Sequence, residues 1–419
     1  MQNVNKSKAL FFAVSLVFVL SFLLSTGAFV DILILGVEGR FTKASDDGGY
    51  RFMLWFPLYL VMALFVVFRS KSILLLFRYY PVALALLFYI VLSAIWSASP
   101  FVTLYSAMQL ILISLFAVAC SSLFSIKYLF NLIYMVFSFI ILSSFVFVVF
   151  FPDYGVDLYN GESAFRGVFV EKNKLGQILT YYFLLSVFFV KLRLLPIGVF
   201  IIAVFLLAGN KSMTALLLTL SIPCVLLFSR YYIGNKSNIY INSVAISVLF
   251  LLFFSVFLVN YYDILNFLGK DPTLTGRTDI WELGYYAFID SPFLGYGYNS
   301  FWSSSALYGG EFIQWVLFWG PTSMHNGWFE ILLQLGGIGF VLFMVFFLSV
   351  FKLSIFYLNS ADLKSFGKVL FVFFAMMFFW SLMQHNLFRH QAFTHYMFYV
   401  FFSATFFYKH NLSISAVQD

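Results

Sequence analysis

Long apolar runs separated by short polar connections constrain this chain more than any other feature. Of its 419 residues, 63% are hydrophobic and only 10% are charged. A soluble globular domain is about 45–50% apolar and about 25% charged, so the composition excludes that class. The runs are continuous, whereas the strands of a membrane barrel would alternate apolar and polar residues. The sequence therefore predicts an integral membrane protein built of helices.

Because about 20 apolar residues cross a bilayer, cutting the sequence at charges and Pro/Gly clusters predicts about twelve spans. These are residues 10–30, 52–68, 82–96, 102–122, 129–150, 175–190, 194–208, 214–229, 240–260, 327–350, 369–386 and 392–408. Several are short enough that a pair could form one broken helix. The expected fold class is all-α, a polytopic transmembrane helix bundle. Residues 1–419 would form a single integral membrane domain, with the long, partly helical loop 261–326 before the tenth span.

Basic residues orient the predicted bundle. With the N-terminus in the cytoplasm, most of the 24 Lys and Arg residues fall on the inner side and nearly all of the 17 Asp and Glu residues on the outer side. This distribution follows the positive-inside rule and places both termini in the cytoplasm. The basic residues are scattered at the ends of apolar segments, so nucleic acid is not an expected partner. Segment 10–30 is interpreted as a retained anchor, with a cleaved signal peptide as the alternative.

Polar chemistry gathers in three predicted outer loops, residues 152–173, 209–213 and 261–326. The last is much the longest connection, which makes it the first place to look for function. The sequence contains no phosphate-binding Gly-x-x-x-x-Gly-Lys-Ser/Thr loop, Rossmann glycine pattern or zinc-binding helix. Neither a soluble catalytic domain nor a cofactor is indicated, and no carboxylate-rich metal site is evident near the motifs.

Cations in the first two loops allow two interpretations. Arg166 and Lys172 are either interfacial anchors or anion ligands, since outer-side cations run contrary to the orientation bias. The sequence leaves the two roles of Arg166 evenly balanced. Lys211 lies in a short turn between apolar helices, where a structural role is favoured over ligand binding.

The first candidate functional segment of the long loop is residues 276–281, Gly-Arg-Thr-Asp-Ile-Trp. This segment predicts a helix start, which Thr275 or Thr278 would cap. A helix N-terminus beside Arg277 favours an anionic group.

The loop ends at His325, where the next span opens. An isolated histidine at a membrane edge is usually an interfacial residue, but this one is followed by Glu330 and Gln334 deeper in the predicted helix. Ionisable groups at membrane depth are costly, so they are functional candidates. Helical spacing places Phe329 on the same face as His325 and displaces Glu330 by about 140°. Asn326 or another loop would then orient the imidazole, rather than Glu330.

These residues resemble the O-antigen ligase and polymerase superfamily, bacterial membrane glycosyltransferases that act on polyprenyl-diphosphate-linked glycans at the outer face of the inner membrane. The ligase pattern is His, then Asn, Ser or Gln, nine residues, Gly, two residues, and Gly, Thr or Tyr. His325 and Asn326 with the Gly-Gly-Ile-Gly of residues 336–339 fit it without a gap. Residues 276–301, with Gly-Arg-Thr, Trp and Pro-Phe-Leu-Gly-Tyr-Gly, look like another block of the family. Weaker matches extend back to about residue 92.

The resemblance implies a GT-C-like fold in the bacterial inner membrane and a direct, metal-independent displacement without a cofactor. Arginine suits a diphosphate because it stays charged and forms a planar fork, and histidine suits a general base because its pKa lies near the working pH. The implied roles are His325 as catalytic base, Arg277, Arg166, Lys211 and Lys172 as diphosphate ligands, and Asn326, Asn173 and Glu330 as supporting residues. The implied partners are a polyprenyl-diphosphate-linked glycan donor, a glycan or lipid A-core acceptor, membrane lipids and a possible chain-length regulator.

Three functions remain open at this point. Both motif blocks occur in exopolysaccharide polymerases and in ligases of the superfamily, and the arrangement around Arg166 and residues 172–173 favours a polymerase slightly. A ligase would transfer the glycan to lipid A-core instead. A polytopic transporter or lipid flippase is the rival from another class, but it should show ionisable residues deep in several spans or related halves. Few such residues appear, and no repeat is evident.

Overall fold

The structure, a computed structural model, describes residues 2–30, 47–159, 162–189, 194–232, 276–318, 320–358, 364–384 and 388–410. Its contacts divide the chain into two compact units. Unit 1 comprises Met1–Leu84, Ala107–Ser221 and Phe388–Asp419, and unit 2 comprises Ala85–Ser106 and Ile222–Leu387. The predicted span 240–260 and the first part of the long loop, residues 261–275, lie outside the described residues.

Helices dominate the described residues. In the first half of the chain they are α1 (Gln2–Ser25), α2 (Asp47–Phe68), α3 (Ser70–Tyr79), α4 (Pro81–Leu92), α5 (Pro100–Leu123), α6 (Ile126–Phe150), α7 (Pro152–Gly155), α8 (Lys172–Phe189), α9 (Leu194–Asn210) and α10 (Met213–Tyr232). In the second half they are α11 (Arg277–Asp290), α12 (Gly310–Val316), α13 (Gly327–Leu358), α14 (Lys364–Met383) and α15 (Phe393–Lys409). Short 3₁₀ turns occur at Ser93–Ile95 and Phe301–Ser303.

The predicted helical membrane class is confirmed, but the span count is not. Five described helices are long and apolar enough to cross a membrane, or six if the bent pair Phe52–Phe68 and Ser70–Tyr79, which meet at 73°, is one span. The five are Lys8–Ser25, Pro100–Leu123, Ile126–Phe150, Gly327–Leu358 and Ser365–Met383. Shorter apolar helices cover Pro81–Ile95, Pro196–Asn210 and Met213–Leu227. The figure of about twelve therefore stays a prediction, as does the single-domain assignment.

Aromatic side chains build the core of unit 1. Helices α1, α6 and α15 pack against one another. Phe22 of α1 meets Phe137 of α6 and Phe393 of α15, with ring centroids 5.7 and 6.4 Å apart. Ser125 caps α6 by accepting a hydrogen bond from the main-chain N–H of Tyr128 at 3.3 Å. These helices are apolar on nearly all sides, so each can bury one face in protein and present another to lipid.

The loop 152–173 departs from the all-α expectation. After α7, two strands, β1 (Val156–Tyr159) and β2 (Glu162–Phe165), pair antiparallel, with Val156 opposite Phe165. Valine, tyrosine and phenylalanine favour strands. With only four residues in each strand, the alternation is too short to distinguish from a loop in the sequence. The fold of the described residues is helical with one added hairpin.

Unit 2 is organised around the hairpin of α13 and α14, which pack along each other. Trp328, the second residue of α13, donates a hydrogen bond from Nε1 to the carbonyl of Phe378 on α14 at 3.2 Å. Helix α13 is interrupted at Gly336, whose φ of 65° is not helical. This break and the start of α13 position the residues that the sequence motifs single out.

Candidate functional site

The break in α13 exchanges hydrogen bonds with the Pro-Phe-Leu-Gly-Tyr-Gly segment, residues 292–297. In an unbroken helix the carbonyls of Leu333 and Gln334 would accept from the N–H groups four residues on. Here the four groups pair with the segment instead: Tyr296 N to Leu333 O at 2.9 Å, Gly297 N to Gln334 O at 2.9 Å, Gly337 N to Pro292 O at 2.8 Å and Ile338 N to Phe293 O at 3.2 Å. The two motifs are thus one structure, held together through main chain.

Glycine is required where the two segments meet. Gly336 adopts φ 65° and Gly295 adopts φ 69°, a left-handed region that other residues rarely occupy. A Cβ at Gly336 would also collide with the main chain of Phe293. The glycines of both motif blocks therefore serve close approach of backbones.

The segment 92–97 joins the same assembly in unit 2. Ser93 Oγ accepts from the N–H of Tyr298 at 3.0 Å, and Trp96 Nε1 donates to the carbonyl of Leu294 at 3.0 Å. Thr103 Oγ1 donates to the carbonyl of Tyr298 at 2.8 Å. Three stretches that are distant in sequence therefore form one scaffold beside the start of α13.

His325 lies just before α13, not inside it. The helix begins at Gly327, and Asn326 caps it: Asn326 Oδ1 accepts from the N–H groups of Trp328 and Phe329 at 3.0 and 3.1 Å. The helical-spacing argument against Glu330 was therefore wrong, because its premise placed His325 in the helix. The side-chain oxygen of Asn326 is therefore occupied by the hydrogen bonds that cap the helix.

Hydrogen bonds hold the turn that carries His325 on both sides of Met324. Glu330 Oε2 accepts from the N–H of Met324 at 2.8 Å, and Trp281 Nε1 donates to the carbonyl of Met324 at 2.7 Å. The Met324 side chain is fully buried in a hydrophobic cluster with Ile280. His325 itself is half-buried, with a left-handed φ of 51°. The imidazole is thus presented from a turn whose main chain is fixed.

Arg277 opens α11. The helix is preceded by Gly276 with φ 76°, and no side chain caps it, so the predicted capping by Thr278 does not occur and Thr275 lies outside the described residues. The Arg277 guanidinium is half-buried, and its Nη1 contacts the Met383 sulfur at 3.5 Å. Burial lowers the pKa of Arg277 from its usual value, yet a guanidinium stays charged at neutral pH.

Two further features define the setting of Arg277. No carboxylate of the described residues lies within ion-pair distance of its guanidinium. Trp281, one turn along the same helix, is the residue that holds Met324. Helix α11 therefore carries a cation without a carboxylate partner in the described chain, together with an anchor for the His325 turn.

Arg166, in unit 1, is engaged by its own loop. Its Nε donates to the carbonyl of Tyr154 at 2.9 Å, its Nη1 donates to the carbonyl of Val170 at 3.3 Å, and Nη1 lies 3.5 Å from Asp157 Oδ1. Burial lowers the pKa of Arg166, while Asp157 and Tyr154 act in the opposite direction. Arg166 thus fastens the hairpin loop, which makes it a weaker candidate for anion binding than Arg277.

The turn at Lys211 is attached to the end of the same loop. Asn210 Nδ2 donates to the carbonyls of Phe165 and Lys172 at 2.8 and 2.7 Å. Ser212 Oγ donates to Asn173 Oδ1 at 3.2 Å. Lys211 itself is exposed, with a left-handed φ of 51°. Unit 1 therefore brings the Arg166 loop, residues 172–173 and Lys211 together.

Unit 2 brings Arg277, His325, Asn326 and Glu330 together, and adds two residues to which the sequence assigned no role. Trp281 and Trp302 each donate an indole N–H to the His325 turn or to Glu330. In the sequence, the sign of such a role is a tryptophan close to polar motif residues. The group to which its indole N–H donates cannot be read from the sequence, because it depends on the tertiary structure. Within the described ranges no group of three or more His, Cys, Asp or Glu side chains is placed to hold a metal ion.

Comparison with known proteins points to the same superfamily as the motifs do. A family model described as O-antigen ligase matches residues 197–344, a stretch that includes Lys211, Arg277, His325 and Glu330. The chain is also similar to the exopolysaccharide production protein ExoQ of Rhizobium meliloti (strain 1021). The two are 25% identical over 335 residues, which cover 75% of this chain and 72% of that protein. The resemblance seen in the motifs is confirmed.

Proposed function

Since the chain belongs to the O-antigen ligase and polymerase superfamily, we propose that it is a glycosyltransferase that polymerises O-antigen or exopolysaccharide repeat units. The donor is a polyprenyl-diphosphate-linked glycan at the periplasmic face of the bacterial inner membrane, and the acceptor is a second glycan. One observation carries the proposal. Helix α11 presents Arg277 and, through the hydrogen bond from Trp281 to Met324, holds the turn of His325.

Arg277 binds the donor diphosphate. Its guanidinium is charged, planar and half-buried, so it can contact two phosphate oxygens where water competes less. The positive end of the α11 helix dipole adds a favourable field for an anion. As the sugar is transferred, negative charge grows on the leaving diphosphate, and the same groups stabilise it.

His325 acts as the general base. The acceptor hydroxyl attacks the anomeric carbon, its proton passes to the imidazole, and the bond from that carbon to the diphosphate oxygen breaks. Histidine suits this role because its ordinary pKa lies near neutrality. His325 is only partly buried.

Polymerisation is favoured over ligation by the ExoQ relative, whose name refers to exopolysaccharide production. The Arg166 loop and residues 172–173, which are joined to the Lys211 turn, resemble the corresponding region of the polymerases. The alternative is a ligase that transfers the glycan to lipid A-core. A chain-length regulator is an expected partner of the polymerase and not of the ligase.

The test uses purified protein in lipid vesicles with a polyprenyl-diphosphate-linked repeat unit. We expect a ladder of longer lipid-linked glycans from the wild type. His325→Ala should lower turnover by about 10²–10⁴-fold, the usual cost of losing a general base, while donor binding largely survives. Transfer only to added lipid A-core would establish the ligase instead. No transfer to either acceptor would overturn the glycosyltransferase proposal.

A further inference from the structure

Glu330 is a buried carboxylate with a partner for each oxygen. It is 1% exposed, and Oε2 accepts from the N–H of Met324 at 2.8 Å. Oε1 accepts from Trp302 Nε1 at 2.8 Å and from Gln334 Nε2 at 3.1 Å. Burying a carboxylate is costly unless it is hydrogen-bonded. The donors come from three parts of unit 2. The carboxylate therefore connects the 3₁₀ turn of Trp302, the turn of Met324 and helix α13, which carries Gln334.

The main chain next to this carboxylate is strained. His325 has φ 51°, and a residue with a Cβ persists in that conformation only where its surroundings impose it. The residue before it, Met324, is held at its N–H by Glu330 and at its carbonyl by Trp281. The residue after it, Asn326, caps α13. Among these restraints, the Glu330 contact is the one made by a charged group.

The contact extends into the scaffold of the site. Gln334, which donates to Glu330, accepts at Oε1 from the N–H of Asn299 at 3.0 Å. Asn299 Nδ2 in turn donates to Ser106 Oγ at 2.8 Å. The turn of His325 is therefore connected through Glu330 and Gln334 to Asn299, two residues beyond the segment that docks against the break at Gly336.

We propose that Glu330 is a positioning residue for the transfer reaction: its carboxylate fixes the main chain of Met324 and thereby the place of the His325 imidazole. The proposal rests on the function assigned above and adds a determinant of its rate. A carboxylate suits the Met324, Trp302 and Gln334 contacts because each of them is an N–H donor, and an ionised carboxylate only accepts. Glutamine has the same shape, but its NH₂ group must face the Met324 N–H or the two donors at the other oxygen.

The first measurement is steady-state turnover of Glu330→Gln in vesicles with the lipid-linked repeat unit. We expect kcat to fall by about 10²-fold, as displacement of a catalytic group typically does, with the donor KM changed less than about threefold. The matched control is Glu311→Gln, an exposed carboxylate of the same unit, which should behave as wild type. Wild-type kcat in Glu330→Gln would overturn the positioning role.

A double-mutant cycle with His325→Ala separates positioning from general destabilisation. If Glu330 acts through His325, Glu330→Gln should lower single-turnover rates by less than about threefold in the His325→Ala background. An equal loss in both backgrounds would mean that Glu330 only supports the fold, which overturns the proposal. Normal turnover in His325→Ala alone would instead contradict the base assignment of the proposed function, and the positioning role with it.

A second variant covers the case in which Glu330→Gln fails to fold. Trp302→Phe removes one donor to Oε1 and leaves the carboxylate its contacts with Met324 and Gln334. We expect a smaller fall in kcat, about tenfold, as for one hydrogen bond to a charged group. That fall should also disappear in the His325→Ala background. Its persistence there would overturn the positioning role.

Discussion

Arg277 and Arg166 carry the same charge, but the structure surrounds them differently. Arg166 directs its guanidinium to two main-chain carbonyls and to Asp157. Arg277 contacts the sulfur of Met383 and has no carboxylate of the described chain within ion-pair distance. When the N–H donors of a guanidinium already form hydrogen bonds within its own loop, fewer of them are available to bind a ligand. The difference favours a structural role for Arg166 and leaves Arg277 as the proposed diphosphate ligand.

Replacing each arginine by lysine should separate these roles. Arg277→Lys keeps the charge but loses the planar fork, so we expect donor affinity and kcat/KM to fall by about 10- to 100-fold, the loss of one or two charge-assisted hydrogen bonds. Arg166→Lys should instead lower thermal stability and change donor affinity little. Donor titrations and thermal unfolding of both purified variants provide the measurement. Near-wild-type kcat/KM in Arg277→Lys would reduce Arg277 to a surface charge.

At the scale of elements, the break in α13 should be the least replaceable feature. Gly336→Ala adds strain of about 1–3 kcal/mol at a left-handed φ and drives a Cβ into the main chain of Phe293. We expect a large fall in the thermal stability of unit 2 and loss of activity. The control is Gly198→Ala in α9, where a Cβ meets nothing within 4 Å. That change should be neutral or stabilising by about 0.5–1 kcal/mol, and equal effects of the two would contradict the docking role of Gly336.

Element boundaries show how far the sequence could lead. The apolar runs and motif glycines located α13 and its partner segment. The start of α13 after His325 was missed, although asparagine at position 326 is a preferred capping residue. The cap of α11 was assigned to a threonine, since a left-handed Gly276 leaves no side-chain signal. The hairpin at residues 156–165 was missed because its strands are short. The indole contacts of Trp281 depend on long-range packing, which one sequence does not encode locally.

For the whole molecule, the basic residues predict which side each connection faces. Residues 261–326 should face the periplasm and residues 352–368 the cytoplasm. Cysteines at Ser305 and Ser365, both exposed, provide the test in a background in which Cys120 and Cys224 are replaced. An impermeant thiol reagent should label the first position and spare the second in cells with a permeabilised outer membrane. The reverse pattern would invert the orientation.

The exchange of hydrogen bonds at Gly336 also has a consequence for biosynthesis. Within lipid, a main-chain group without a partner costs several kcal/mol, so residues 333–338 cannot be accommodated in a bilayer as an isolated broken helix. They need the segment 292–297. Because that segment precedes α13 in the chain, it leaves the ribosome first and is already available when the helix enters the membrane. Synthesis from the N-terminus therefore produces the segment 292–297 before the broken helix that needs it. A circular permutant that reversed this order should insert poorly into the membrane.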